Sequence, residues 1–453
     1  MNESKEVKMN KRLKGIFFFI VFLTLDWPFV FSAEYKIRPL RERADIRSDL
    51  NTKRVDTLLL PAMRKAGIDC WVIMSREFKE DFVLDYVMDV KGATGGHRNA
   101  FIFFDDGSNR LKRIAIGTHL PGESKVWDKL VSYHTGEGDM GPSLKPVLRK
   151  TIEEFNPKKI GVNESRTIPF CDGLTVEMKK FLMDAIGPEY AKRLVSAEGL
   201  IVDFLDTRLP EELQYLKEAA EISRLLQEEV ESNKAIIPGK TTLSDLRWYA
   251  YNRMAELDIE TWYPPLLGVK RKGVAERLNK DSVVIQPGDI ISNDMAVLYL
   301  GFYMDIKGTG YVLKPGETEP PKGLQKAFQN ALRVQDAIIE VSRPGKIGFE
   351  VKEEAEKLCK KRGIDGSVFC HSTGLGGHGI GAWINPNWPD RYGVRATFPL
   401  RLGAIYSIES SATTEVPEWD GEKFSFGTEE DAYLTEQGLK HLFPRQEKIY
   451  VIK

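Results

Sequence analysis

The order of apolar and polar positions divides the chain into two regions. From residue 50 to about 205, segments with apolar residues at helical spacing alternate with short β-rich runs. "NTKRVDTLLLPAMRKAGIDC" reads as a helix closed at Gly67, and "CWVIM" as the strand that follows. "NAFIFFDDG" and "RIAIGTH" are further strands closed by turn residues, and "PSLKPVLRKTIEEFNPKKIGVN" reads as a helix then a strand. Such alternation predicts an α/β domain with a parallel or mixed sheet.

The pattern changes at "FLDTRLPEELQYLKEAAEIS". Asp206, Thr207 and Pro210 open a long helix, with Glu211 and Glu212 in its first turn, where carboxylates suit the helix dipole. Helices are expected over about 210–233 and 242–257, a β-rich stretch over about 282–313, helices over about 321–342 and 348–362, and β structure again over 365–450. Helices grouped against antiparallel strands describe an α+β domain. The boundary falls between 205 and 206, which gives a front domain over 34–205 and a second domain over 206–453.

A chain of 453 residues is too long for one ordinary core, in keeping with that division. Lys and Arg (65) nearly cancel Asp and Glu (66), which excludes the basic excess of a nucleic-acid binder. Four cysteines, Cys70, Cys171, Cys359 and Cys370, form no C-x-x-C pair, so neither a zinc ribbon nor a thioredoxin motif is expected. Residues 1–33 read as a signal peptide: a basic opening, an apolar run from Ile16 to Thr24, then Ser32 and Ala33 at a cleavage site. The expectation is an exported protein, periplasmic or extracellular. Left uncleaved, the segment would tether the chain to a membrane, although the run is short of the ~20 apolar residues of a spanning helix. Asn163-Glu164-Ser165 fits a glycosylation acceptor.

Candidate chemistry begins with Asp294 and Asp305, eleven residues apart on two β-like runs. A hairpin reversing at Tyr299–Leu300 would set them directly opposite, with Cβ atoms about 5 Å apart on one face. Like charges so placed repel unless a cation lies between them. A metal ion is the simplest such cation; the other reading is an offset register with both aspartates solvated on opposite faces. Glu409 sits in the apolar run "AIYSIESSA", where a buried carboxylate needs a partner or a metal. Glu430 opens another strand and, read alone, is better taken as a sheet-surface residue. Glu429 and Asp431, its neighbours, point to the opposite face. In "HSTGLGGHGIGAW", two of the six histidines, His371 and His378, lie among glycines that let backbone approach closely. A phosphate loop is excluded by the lack of Gly-Lys-Ser/Thr.

In order and spacing these residues resemble the pita-bread metallopeptidase family, which includes methionine aminopeptidases, Xaa-Pro aminopeptidases, prolidases and the metal-free creatinases. The matching pieces are Asp294 and Asp305, Gly377-His378-Gly379-Ile380-Gly381, Ser407-Ile408-Glu409 and Glu430-Asp431. "RVDTLLLPAMRKAGIDCWVIM" resembles the creatinase-type N-terminal domain of the proline-directed branch. The resemblance implies an antiparallel, curved pita-bread sheet covered by helices, and metal ligands Asp294, Asp305, His378, Glu409 and Glu430. It implies two divalent ions, Mn²⁺ foremost with Co²⁺ or Zn²⁺ possible, with Asp305 and Glu430 shared and Glu409 taking the water's proton. It also implies a peptide substrate cut at Xaa-Pro, and a homodimer. Departures stand beside it. No histidine lies between His134 and His371, Asn385 stands where the family has a histidine, and Lys307-Gly308-Thr309 replaces the usual Thr-Arg-Thr. His371 is the candidate for a missing imidazole, and Tyr263 and Arg277 are candidates for substrate contact. Three readings follow: an exported di-metal peptidase, a relative with another C–N substrate or little activity, and a peptide-binding module without turnover.

Overall fold

A computed structural model describes residues 35–89, 97–118, 120, 122–133, 144–388 and 393–453. The expected signal peptide at 1–33 lies outside these residues. Among the described residues, no helix is long and apolar enough to cross a membrane.

The front region is the expected α/β unit. Its six-stranded sheet runs, in spatial order, Lys129–Ser132, Lys112–Gly117, Arg98–Phe104, Cys70–Arg76, Ile160–Val162 and Leu194–Ser196. The central strand Cys70–Arg76 is antiparallel to Arg98–Phe104 and parallel to Ile160–Val162, so the sheet is mixed. Both faces are covered, and the strand is accordingly apolar from Cys70 to Met74 rather than alternating. Cys70, Val72 and Met74 pack under the helices Leu144–Phe155 and Val176–Ala191. Trp71 points the other way, against Phe103 and Phe204. Asn163 is buried, accepting from Trp71 Nε1 at 2.7 Å and donating to Asp81 at 2.8 Å. A glycan needs that amide nitrogen in solvent, so the acceptor motif is not available in the folded chain. All four cysteines are buried and free.

The second region is the expected α+β, pita-bread unit. Among the described residues it holds three small sheets. One is Asp365–Val368, Ser410–Val416, Glu422–Thr428; another is His371–Thr373, Ile405–Ser407, Asp431–Thr435, Gly438–His441. The third is Tyr450–Ile452, Phe302–Val312, Ile290–Tyr299, Leu266–Lys270. Helices Lys322–Val341 and Gly348–Lys361 bury Leu324, Phe328, Leu332 and Val351 against Ile408, Ala412 and Phe426. Thr242 caps helix Leu243–Glu256 in a reciprocal capping box with Asp245.

Residues 36–453 form one contact unit. The buried Arg54, at the end of helix Leu40–Arg54, pairs with Glu212 and donates to the carbonyls of Phe204 at 2.7 Å and Thr207 at 2.8 Å. It thereby ties the front region to the first helix of the second, Glu212–Val230.

The hairpin that carries the aspartates reverses one residue later than the sequence suggests. Tyr299 pairs with Phe302 across a two-residue turn of Leu300 and Gly301. Both have positive φ, 55° and 80°, as the favoured hairpin turn with matching twist requires. Asp294 therefore faces Lys307, and Asp305 faces Ala296. The two aspartates are diagonal neighbours on one face rather than direct partners.

Candidate metal centre

Three strands and one glycine-rich loop converge on the inner face of that hairpin. Asp294 and Asp305 come from its two strands, His371 from His371–Thr373, His378 from the loop after it, and Glu409 and Glu429 from the ends of neighbouring strands. Donor atoms lie within 4.8 Å of one another in three overlapping sets: Asp305, His371, His378; His371, Glu409, Glu429; and Asp294, Asp305, Glu429.

The loop can approach because two glycines leave it room. Gly381 has φ +86°, and a Cβ there would lie 2.4 Å from a carboxylate oxygen of Asp206. A Cβ on Gly379 would meet Phe170 of the front region at 2.8 Å. His378 is thus set with Nε2 3.0 Å from Asp305 Oδ2, its side chain still 46% exposed. His371 is buried beneath it, ring centroids 4.1 Å apart, with Nε2 3.2 Å from Glu429 Oε1 and 3.7 Å from Asp305 Oδ2.

Hydrogen bonds hold the carboxylates. Ser407 Oγ lies 2.7 Å from Glu429 Oε1 and 3.0 Å from the Asp305 carbonyl, with one hydrogen shared between the two acceptors. The Asp305 amide donates to Asp431 at 2.9 Å. Tyr263 Oη contacts both Asp294 and Asp305 and has one hydrogen to share between them, from a ring that stands edge-on to Trp262. The Lys307 ammonium reaches Glu409 Oε1 at 2.6 Å, Asp294 Oδ2 at 3.2 Å and Glu429 Oε2.

This crowding of charge moves several protonation equilibria. Burial, with the charge of Glu429 behind it, pushes Asp294 up to about 7 against the pull of Lys307. Burial works against ionised Asp305 too, but the His378 hydrogen bond and the His371 charge outweigh it and hold Asp305 below the usual carboxylate range. Burial alone would neutralise His371; its bond to Glu429 and the charges of Asp305 and Glu429 raise it to about 9. Burial likewise opposes the Lys307 charge, and Glu429, Asp294 and Glu409 drive its pKa well above the ordinary lysine value.

Of the residues expected here, the structure brings together Asp294, Asp305, His371, His378 and Glu409. It does not bring Glu430. That side chain is buried on the opposite face, paired with Arg224 and accepting from the Gln446 amide at 3.1 Å. Its neighbour Glu429 points inward instead, because side chains alternate along an extended segment and Asp431, two residues on, already faces Asp305. Tyr263, expected at the substrate, lies inside the carboxylate cluster. Arg277 lies across the strand Leu266–Lys270, its guanidinium against Gly268 and donating weakly to the Leu266 carbonyl at 3.4 Å. Lys307 and Glu429 are the cluster members whose roles sequence reasoning missed. The replacement of Thr-Arg-Thr flags Lys307, but only the register places its ammonium.

The donor set fits one divalent ion. Asp305, His371 and His378 offer one carboxylate and two imidazoles within bonding reach of a common point after small adjustment. It does not fit two ions as arranged, since the second cluster of carboxylates surrounds the Lys307 ammonium.

Fold and cluster together define a pita-bread protein of the metallopeptidase type. Residues 214–436, just under half of the chain, match the model of metallopeptidase family M24. It is 28% identical over 158 residues to the Xaa-Pro dipeptidase of Pyrococcus furiosus, a match that covers 35% of this chain and 40% of that protein. The fold resembles that of X-Pro aminopeptidase from Thermotoga maritima, with TM-score 0.64 and 19% identity over 86% of this chain and 99% of that one. It also resembles the N-terminal domain of the FACT complex subunit SPT16 from chickpea, with TM-score 0.60 and 13% identity over 87% of this chain and 96% of that one. These likenesses show the fold, which by itself does not fix an activity.

Proposed function

We propose that the chain is a metal-dependent hydrolase of short peptides, cutting at Xaa-Pro. The observation that carries this is the convergence of Asp305, His371 and His378 beside Glu409, at a site whose imidazole edge on His378 is open to solvent. A divalent ion bound there would lower the pKa of a water towards neutrality and polarise the peptide carbonyl. The chain supplies the rest. Glu409, about a third exposed and held at Oε1 by Lys307, takes a proton from an attacking water. His371 would hold that ion as a neutral imidazole, its Nδ1 turned to the Ser372 carbonyl at 3.2 Å. Trp262 stands edge-on to His378 at 4.7 Å between ring centroids, and Trp383 at 6.4 Å, an apolar wall suited to a proline ring.

One observation favours a second reading, a peptide-binding module with little turnover: the Lys307 ammonium among the carboxylates. The two separate in one assay. Metal-free protein is incubated with an Xaa-Pro dipeptide and tripeptide, with and without added Mn²⁺, Co²⁺ or Zn²⁺, beside Asp305→Asn. Metal-dependent cleavage that Asp305→Asn abolishes supports hydrolysis; peptide binding by calorimetry with no cleavage under any ion supports the module.

A further inference from the structure

The Lys307 ammonium has three N–H donors, and three carboxylates receive them: Glu409 at 2.6 Å, Asp294 at 3.2 Å, and Glu429. No donor is left over, and no lone pair is available to bind a metal. A divalent ion among the same oxygens needs bonds of about 2.0–2.2 Å and repels an ammonium held so close. The lysine is not a loose surface group that swings in. Its Cα is fixed opposite Asp294 in the hairpin ladder, and its amide donates to the Glu429 carbonyl at 3.1 Å. Its side chain is 19% exposed. The next residue admits no bulk: a Cβ on Gly308 would lie 2.4 Å from Gln227 and 2.6 Å from Glu231. Asp305, His371 and His378 offer a further set of donor atoms within 4.8 Å of one another, while the lysine's ion pairs go to Asp294, Glu409 and Glu429.

We propose that the Lys307 ammonium is the resident cation of one half of this centre, holding Asp294, Glu409 and Glu429, and that the centre takes one divalent ion rather than two, on Asp305, His371 and His378. The inference rests on reading the cluster as a metal centre. The donor set is then imidazole-rich, which favours Zn²⁺ or Co²⁺ over oxygen-seeking ions such as Mg²⁺, and makes Mn²⁺ a weaker choice than an all-carboxylate cage would. Lysine thus performs a structural task that a second ion would otherwise perform, keeping three carboxylates together without mutual repulsion.

The test is ion stoichiometry. The metal-free protein is saturated with Zn²⁺, and separately with Mn²⁺, passed through gel filtration and analysed for metal per chain. Wild type is expected to retain one ion, His378→Ala none, and Lys307→Gln and Lys307→Thr two. Zero or two ions in wild type overturns the proposal, as does a folded Lys307 variant, judged by circular dichroism, that stays at the wild-type count. Should both lysine variants fail to fold, the wild-type and His378→Ala counts decide it alone. Proline-peptide cleavage with two ions bound sinks this inference and leaves the proposed function standing. One ion bound with no cleavage of any proline peptide does the reverse.

Discussion

Lys307 stands directly across the hairpin from Asp294, with its ammonium 3.2 Å from that carboxylate, and the same ammonium bridges to Glu409 and Glu429. Removing the charge leaves three carboxylates facing one another in a partly desolvated site. Lys307→Met is therefore expected to lower stability by about 3 kcal/mol in urea unfolding without metal, as for other buried pairs that lose one partner. Added Zn²⁺ should restore part of that loss in the variant, because a ligand that binds only the folded state stabilises it. A variant as stable as wild type without metal would remove the lysine from its structural role.

Glu429 and Glu430 are adjacent but serve different sides of the sheet. Glu430→Gln leaves buried Arg224 unpaired and should cost about 3 kcal/mol of stability while the metal content is unchanged. Glu429→Gln should release one end of His371 and of Lys307 and reduce metal-dependent activity at least tenfold. Elemental analysis and unfolding curves on the two variants check the assignment; metal loss confined to Glu430→Gln would reverse it.

How far the centre is legible in the sequence follows from these neighbours. Asp294, Asp305, His378 and Glu409 are found by residue type and spacing, because each is a polar group in an apolar or glycine-rich run where it needs a reason. The domain pattern is legible on the same ground: helical and β periods are local. The hairpin register is not, since it turns on whether Leu300 or Gly301 ends the loop, and Leu300 takes a positive φ that a leucine rarely adopts. Alternation separates Glu429 and Asp431 from Glu430, yet which face is inward depends on Asp305, over a hundred residues away. Lys307 and Tyr263 enter the cluster only once the register is known.

His441 gives the fold an acid-sensitive point away from the centre. Both ring nitrogens are buried without a protein partner, and burial, aided by the Arg445 charge, pushes the imidazole down to about 4. The unfolded chain then binds a proton that the folded chain refuses, so the contribution to stability is intact above about pH 6.5 and is lost as pH falls towards 4. Between pH 7 and 4.5 the loss is about 2 kcal/mol. Urea midpoints of wild type and His441→Leu across that range check it: the variant should lose less, and equal losses would contradict the prediction.

Gly381 carries a backbone constraint that no other residue meets. Gly381→Ala combines a φ of +86° with a Cβ 2.4 Å from Asp206. The expected loss is about 2 kcal/mol or more, together with weaker metal retention as the His378 loop shifts. Metal titration followed by thermal unfolding reads both effects.

We have proposed Asp305, His371 and His378 as a metal-dependent hydrolytic centre for Xaa-Pro peptides. Cleavage of an Xaa-Pro dipeptide and tripeptide by metal-free and metal-loaded protein, wild type against Asp305→Asn, tests it most directly. Cleavage that appears only with a divalent ion and vanishes in Asp305→Asn is the predicted result. Loaded wild type that cleaves neither peptide, or an Asp305→Asn protein that cleaves as fast as wild type, would contradict it.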